Sequence, residues 1–319
     1  MQDRFGRRIE YLRLSVTQAC NLKCIYCMPD EKDRNTCSKP SLSPEEMERI
    51  VSVLAGLGIR KVRITGGEPL VRTDICDIIK HISSIPGIED ISLTTNGIRL
   101  AAMAPELAAA GLMRVNISLD SLKPEVFRHI TGGGNILAVL KGIQMAVDSG
   151  MKPVKINTVL IKGENDAEIP DFFRLAESNP IDVRFIELMP VGSFGESNMD
   201  RIIPNSSIIS AHPELQYMED DCTGQPARYY KIEGYKGRIG FISPMSHKFC
   251  SSCNRIRLTC TGLLKPCLGS NGEVDVLDAM RRQPDMVESV LRKAIFEKPE
   301  GHNFNTGFTS KKRMNEIGG

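Results

Sequence analysis

Tryptophan is absent from this 319-residue chain, aromatic side chains make up only 5% of it, and 41 Lys and Arg are nearly balanced by 39 Asp and Glu, for a formal net charge of +2. A surface that stacks exposed bases needs aromatic platforms, and one that tracks a phosphate backbone needs an excess of cations, so no nucleic-acid partner is indicated. Any anion site must be local. No apolar run approaches the roughly 18 residues of a membrane span, and Met1 to Glu10 has no apolar core of the signal-peptide kind, so a cytoplasmic protein without a membrane span is expected. Hydrophobic residues at 41% and charged residues at 25% exclude wholesale disorder. The length suggests about two domains.

Cysteine, by contrast, is plentiful. Ten thiols in a cytoplasmic protein need a reason, because disulfides rarely persist there and clustered thiols more often hold metal or do chemistry. Six form two triplets: Cys20, Cys24 and Cys27 near one end, and Cys250, Cys253 and Cys267 near the other. Cys37, Cys76, Cys222 and Cys260 are scattered, and no pattern gives them a role.

Between residues 11 and 190, short β-rich segments alternate with longer stretches of helical periodicity, the pattern of parallel βα units. Strands are predicted at 12–16, 62–65, 91–95, 114–119, 154–160 and 183–189. The first helix is signalled by Ser43 as N-cap, Pro44 at the first helical position, Glu46 as capping-box partner, and Met47, Ile50, Val51 and Leu54 on one face. Further helices are predicted over 73–85, 101–110 and 135–149, the last two stopped by Gly111 and Gly150. Six such α/β units with right-handed crossovers curl into an incomplete (β/α)6 barrel, with its ligand site at the carboxyl ends of the strands. After Pro190 come loops rich in Gly, Ser, Asn and Pro, a hairpin with strands at 229–232 and 239–242, the second triplet, and a helix near 285–296. A boundary near 215 divides the chain into a partial barrel, residues 1–215, and a C-terminal region, residues 216–319.

Cys20, Cys24 and Cys27 are spaced C-x3-C-x2-C directly after the first strand, with no fourth cysteine close behind. Clusters that only carry electrons take four thiolates; three leave one iron with open positions for a chelating ligand. Zinc knuckles usually begin C-x2-C and supply four ligands, which this spacing does not offer. The second triplet is C-x2-C-x13-C. His247 or Cys260 could complete a zinc site there, but Arg255 and Arg257 set two cations against the metal, where a closed structural site gains little from them.

Gly66 and Gly67, directly after the second strand, let backbone approach a neighbour without a Cβ in the way. Arg13, Arg63, Lys155 and Arg184 each lie between apolar neighbours inside a predicted strand. Barrel strands are covered on both faces, so such charges must be partnered. The same strands offer few carboxylates, chiefly Asp120 and Glu187, which leaves a highly charged anion such as a triphosphate as the better partner.

The first triplet, followed at this offset by Gly66-Gly67-Glu68-Pro69, resembles the radical S-adenosylmethionine superfamily. The resemblance implies a first [4Fe-4S] cluster on Cys20, Cys24 and Cys27, with S-adenosylmethionine on its open iron contacted by Tyr26, Gly67, Ser118 and Met189. It also implies a partial barrel with a C-terminal iron–sulfur region. Nearly end to end, in Leu12 to Thr17, Arg63 to Pro69, Leu93 to Gly97, Phe185 to Met189, the second triplet with its arginines and the terminal Gly318-Gly319, the chain is similar to the GTP 3′,8-cyclase family of molybdenum cofactor biosynthesis.

That likeness implies a lyase in which an adenosyl radical takes the hydrogen from the ribose 3′ carbon of GTP, and the carbon radical then closes on carbon 8 of guanine. Cys250, Cys253 and Cys267 would hold a second [4Fe-4S] cluster meeting the guanine. Arg13, Arg63, Thr94, Lys155, Arg255, Ile256 and Arg257 would bind GTP, with Lys61 and Arg184 as further candidates. Arg13, Arg255, Arg257, Gly318 and Gly319 are the implied catalytic residues, the two glycines threading into a crowded site. An electron donor, a homodimeric partner and a downstream pathway enzyme are implied as well. Cys260 and Thr261 depart from the family, whose members more often carry a non-cysteine residue and an aspartate there. Two rival functions use part of the pattern: a radical enzyme acting on a peptide, which needs no strand cations, and a zinc-bound interaction module.

Overall fold

Six parallel strands lie side by side in chain order: β1 (Tyr11–Ser15), β2 (Lys61–Thr65), β3 (Asp90–Thr95), β4 (Arg114–Ser118), β5 (Val154–Leu160) and β6 (Ile181–Glu187). The computed structural model describes residues 1–27, 40–219, 224–304 and 312–318. Cys37, Cys222 and Gly319 lie outside the described residues. Helices α1 (Pro44–Gly56), α2 (Ile75–Ser83), α3 (Leu100–Ala109), α4 (Pro124–Thr131), α5 (Ile136–Asp148) and α6 (Ile169–Ser178) fill the crossovers. The capping box of α1 forms as expected, with Ser43 Oγ accepting from the Glu46 N–H at 3.2 Å and Glu46 Oε2 accepting from the Ser43 N–H at 3.0 Å. Helices α4 and α6 were not foreseen, although Pro124 at the start of α4 and Gly132, left-handed at φ 64° after its end, are ordinary boundary signals.

The C-terminal half adds β7 (Gln216–Tyr217), β8 (Ala227–Lys231), β9 (Arg238–Ile242), β10 (Arg255–Leu258), β11 (Leu263–Lys265) and β12 (Val274–Asp275). The predicted hairpin is the antiparallel β8–β9 pair. Its second strand also runs parallel to β6, and β10 runs parallel to β1, so the barrel sheet continues at both flanks in the order β12-β11-β10-β1-β2-β3-β4-β5-β6-β9-β8-β7.

The pleat sorts side chains by their period of two. One face carries Leu12, Leu14, Val62, Ile64, Val115, Ile117, Ile156 and Val183, all fully or almost fully buried in the main core. Each such aliphatic contributes roughly 1.5–3 kcal/mol on burial. The other face carries the cations and lines the concave side. Among the described residues, no single helix is long and apolar enough to cross a membrane.

Candidate functional site

Topology sends the two cysteine triplets to opposite ends of the barrel. Cys20, Cys24 and Cys27 follow the carboxyl end of β1. Cys250 and Cys253 precede β10, which is parallel to β1, while Cys267 follows β11, antiparallel to β10, so all three lie at the amino end. A five-residue strand spans about 17 Å at ~3.3 Å per residue. All six thiols line one cavity of about 730 Å³.

At the carboxyl end, the segment after β2 clasps the first cysteine loop: the Gly67 N–H donates to Thr17 O at 2.7 Å and the Glu68 N–H to Ala19 O at 2.8 Å. A Cβ on Gly67 would stand 2.3 Å from Ala19 O. The neighbour that demands glycine is therefore the cysteine loop's own backbone. Tyr26 donates its hydroxyl to Asp120 Oδ2 at 2.6 Å, and burial pushes the Asp120 carboxyl up to about 6 against its hydrogen bonds from Tyr26 and Val159. Burial, reinforced by Asp120 and the two companion thiols, holds Cys24 well above its ordinary value. Burial and Cys20 push Cys27 up to about 12, opposed by a hydrogen bond from the Asn315 backbone. Ser118, Gly67 and Met189 line the cavity with these residues.

Cations dominate the middle. Arg257, Arg13 and Arg63 stand at matched register on β10, β1 and β2. Burial, then Arg257 and Arg63, hold Arg13 well below its ordinary value. Burial lowers Arg63 to about 10, and burial with repulsion from Arg255 lowers Arg257 to about 10. Burial and Arg184 bring Lys155 to about 7, although Asp182 opposes them. Among the described residues the cavity lining counts ten Lys and Arg against four Asp and Glu, so its interior field is strongly positive.

The two carboxylates that the sequence offers on these strands do other work. Glu187 accepts the backbone N–H groups of Asn205, Met245 and Ser246 at 2.9–3.0 Å and ties down loops; Asp120 serves Tyr26 and the Val159 N–H. Both lie at or beyond the carboxyl ends of their strands, away from the cations. The acids that do pair lie near strand starts: Asp90 takes Arg114, and Asp182 takes Arg238 at 2.6 Å and Lys155 at 3.7 Å.

Lys61, Thr94 and Arg184 line the cavity, whereas the Ile256 side chain faces the opposite, core side of β10. Arg255 Nε and Nη2 and Thr94 Oγ1 are buried without a hydrogen-bond partner among the described residues. Tyr11 Oη and Asn157 Oδ1 are in the same state. Sequence reasoning missed these two, though each stands two positions from a predicted cation, Arg13 or Lys155, and so on its face. Arg114 and Arg238, which also line the cavity, were missed as well, and Lys298 and His302 had no local signal.

The chain's last described turn also enters the site. Arg257 donates to the carbonyls of Ile317, at 3.5 Å, and Gly318. Gly318 adopts φ +75°, and a Cβ there would stand 2.8 Å from Thr65 Cγ2, so the tip fits only without a side chain.

At the amino end, burial opposes ionisation of Cys253, but Arg255 and Lys298 outweigh it and bring the thiol to about 7. Cys267 is raised by burial, with Lys298 opposing. Cys260 is fully buried in the fold, and neither it nor His247 lines this cavity. The thiols of both triplets are free and within each triplet influence one another's ionisation. Yet among the described residues no three His, Cys, Asp or Glu side chains converge tightly enough for one metal ion. Each triplet offers three free thiols at one wall of the cavity, a donor set of the kind that iron–sulfur sites use.

A parallel α/β partial barrel with a C-x3-C-x2-C loop after its first strand defines a protein of the radical S-adenosylmethionine class. The family model described as the Radical SAM superfamily matches residues 14–176, and the model described as Molybdenum Cofactor Synthesis C matches residues 181–304. The GTP 3′,8-cyclase of Alkaliphilus oremlandii (strain OhILAs) is 50% identical over 321 residues, covering 100% of both chains. That of Moorella thermoacetica (strain ATCC 39073 / JCM 9320) is 44% identical over 324 residues, again covering 100% of both. Among solved structures, Streptococcus suis SuiB bound to S-adenosylmethionine shares the fold at a TM-score of 0.63 and 16% identity, over 93% of this chain and 73% of that one. The chain belongs to the radical SAM superfamily and, within it, to the GTP 3′,8-cyclase family.

Proposed function

We propose that the protein is a lyase that converts GTP to (8S)-3′,8-cyclo-7,8-dihydroguanosine 5′-triphosphate, the first step of molybdenum cofactor biosynthesis. The observation that carries this reading is the cation-rich stretch of one cavity lying between two three-thiol sites at its opposite ends. A triphosphate laid on Arg13, Arg63 and Arg257, with Lys61, Lys155 and Arg184 beside them, offsets the burial and the mutual repulsion that depress several of these groups. Arginine forks suit its oxygens by geometry as well as charge. Thr94 Oγ1 and the Arg255 nitrogens offer the hydrogen-bonding capacity that the fold leaves unused. A peptide substrate would leave those cations unbalanced.

Cys20, Cys24 and Cys27 would hold one [4Fe-4S] cluster, with Tyr26, Gly67, Ser118 and Met189 around S-adenosylmethionine. Cys250, Cys253 and Cys267 would hold a second, against the guanine. When bound and reduced, the first cluster and S-adenosylmethionine supply a 5′-deoxyadenosyl radical. The chain's own contribution is orientation: the cations would fix the phosphates, the amino-end thiols would hold the cluster that meets the base, and together they would restrain the ribose between. Arg257 holds the Gly318 carbonyl in the same space, so the tail narrows the chamber and limits access of water. Residues 1–215 would supply the cofactor end and residues 216–319 the second cluster, in a homodimer served by an external electron donor.

The test is anaerobic incubation with GTP, S-adenosylmethionine and dithionite, followed by chromatography and mass analysis. A nucleotide of GTP's own mass with shifted retention, formed with one 5′-deoxyadenosine each, is expected. Deoxyadenosine without any new nucleotide would overturn the assignment of GTP.

A further inference from the structure

Lys298 stands apart from the strand cations. It is 1% exposed, lines the cavity, and donates a 2.6 Å hydrogen bond to the carbonyl of Pro266, the residue before Cys267. Among the described residues it makes no ion pair with a carboxylate. Its charge acts on both Cys253 and Cys267. The segment that carries it is itself clamped: Arg7, 8% exposed and paired with Asp3 at 2.6 Å, donates to Pro299 O at 2.6 Å, Glu300 O at 2.7 Å and Cys250 O at 2.9 Å. Both halves of the second triplet therefore hang from the segment 298–300 by buried side chains, Cys250 through Arg7 and Cys267 through Lys298. Packing alone does not require an ammonium here, because a methionine stem would fill the space without the cost of desolvating a charge.

We propose that Lys298 is a positioning residue for the second triplet, holding the Cys267 turn through Pro266 and setting a fixed positive charge against the net negative charge of the cluster bound there. The inference rests on the reading that this triplet carries a cluster. Cluster potentials follow net charge, hydrogen bonding and exposure. A buried cation favours the form that has gained an electron, so Lys298 raises the potential at which the cluster accepts it.

The experiment uses the full chain with Cys20, Cys24 and Cys27 replaced by Ala, reconstituted with iron and sulfide, so that only the second site is read. Dithionite supplies one electron per cluster, and the reduced signal is followed by electron paramagnetic resonance against set potential. Lys298→Met is expected to bind the parent's iron and to titrate at a more negative potential, while Lys298→Arg stays near the parent. An unchanged Lys298→Met potential, or equal shifts in both variants, overturns the inference. Loss of iron in Lys298→Met but not in Lys298→Arg supports a charge role; loss in both overturns it. A parent without iron refutes the two-cluster reading, and this inference with it.

Discussion

The two ends of the cavity present the same three-thiol arrangement in opposite electrostatic settings. At the carboxyl end, burial and Asp120 keep Cys24 well above its ordinary value, and Cys27 is pushed up to about 12. At the amino end, Arg255 and Lys298 bring Cys253 to about 7 in spite of burial. Three thiolates on a four-iron cluster would be a negative object; the second end sets Arg255 and Lys298 against it, although burial still raises Cys267, whereas the first would recover its desolvation cost from metal binding itself. Backbone support differs too: the first loop is clasped edge-on by Gly66 to Glu68, and the second is suspended from buried side chains.

The largest expected effect separates the ends outright. Cys24→Ala should abolish S-adenosylmethionine cleavage, while Cys253→Ala should leave GTP-independent cleavage and lose cyclisation; deoxyadenosine measured by chromatography reads the first, and equal loss in both variants would erase the distinction. Next, Arg257→Ala should spare iron content and S-adenosylmethionine binding but lower GTP turnover about 30- to 1000-fold, the effect of removing roughly 2–4 kcal/mol of charge-assisted contact. Gly67→Ala should lower unfolding stability by about 1–3 kcal/mol, since its Cβ meets rigid backbone. Gly301→Ala, whose Cβ would reach Cys250 Sγ at an ordinary 3.6 Å, should change melting temperature little; equal losses in the two glycine variants would mean that the ends are supported alike.

The smallest effect is a proton. Burial and Arg184 hold Lys155 at about 7, so at pH 8 it is expected to be largely neutral, and a bound triphosphate should draw it back to the ammonium form. Calorimetry at pH 8 should show proton uptake on GTP binding, as a heat that varies with the buffer's ionisation enthalpy. At pH 6 that uptake should shrink to a small fraction, because a group held at about 7 is already mostly charged. Lys155→Met should remove it.

Much of this was legible in the chain. Arg13, Arg63, Lys155 and Arg184 announced a polar face because a charge between aliphatics has only the inner side of a pleat to occupy, and the glycine pair marked a close approach. What was not legible was long-range. Nothing local says that β10 will lie beside β1, yet that pairing alone sets Arg257 level with Arg13 and carries the second triplet to the amino end. Sequence gives a carboxylate's presence but not its height along the strand: Asp120 and Glu187 lie past the cations, whereas Asp182, near the start of β6, reaches Lys155 and Arg238, and Asp90 reaches Arg114. Lys298 follows a helix in a stretch without period, so only its contacts reveal it.

The flanking of β1 by β10 and of β6 by β9 also bears on how this chain can be divided. Severed near residue 190, after β6, the first portion would leave two bare sheet borders whose unpaired amides and carbonyls invite other copies to add on. Neither portion is therefore expected to remain dispersed alone, and genetic fusion or shuffling at that point would yield aggregates rather than a smaller catalyst.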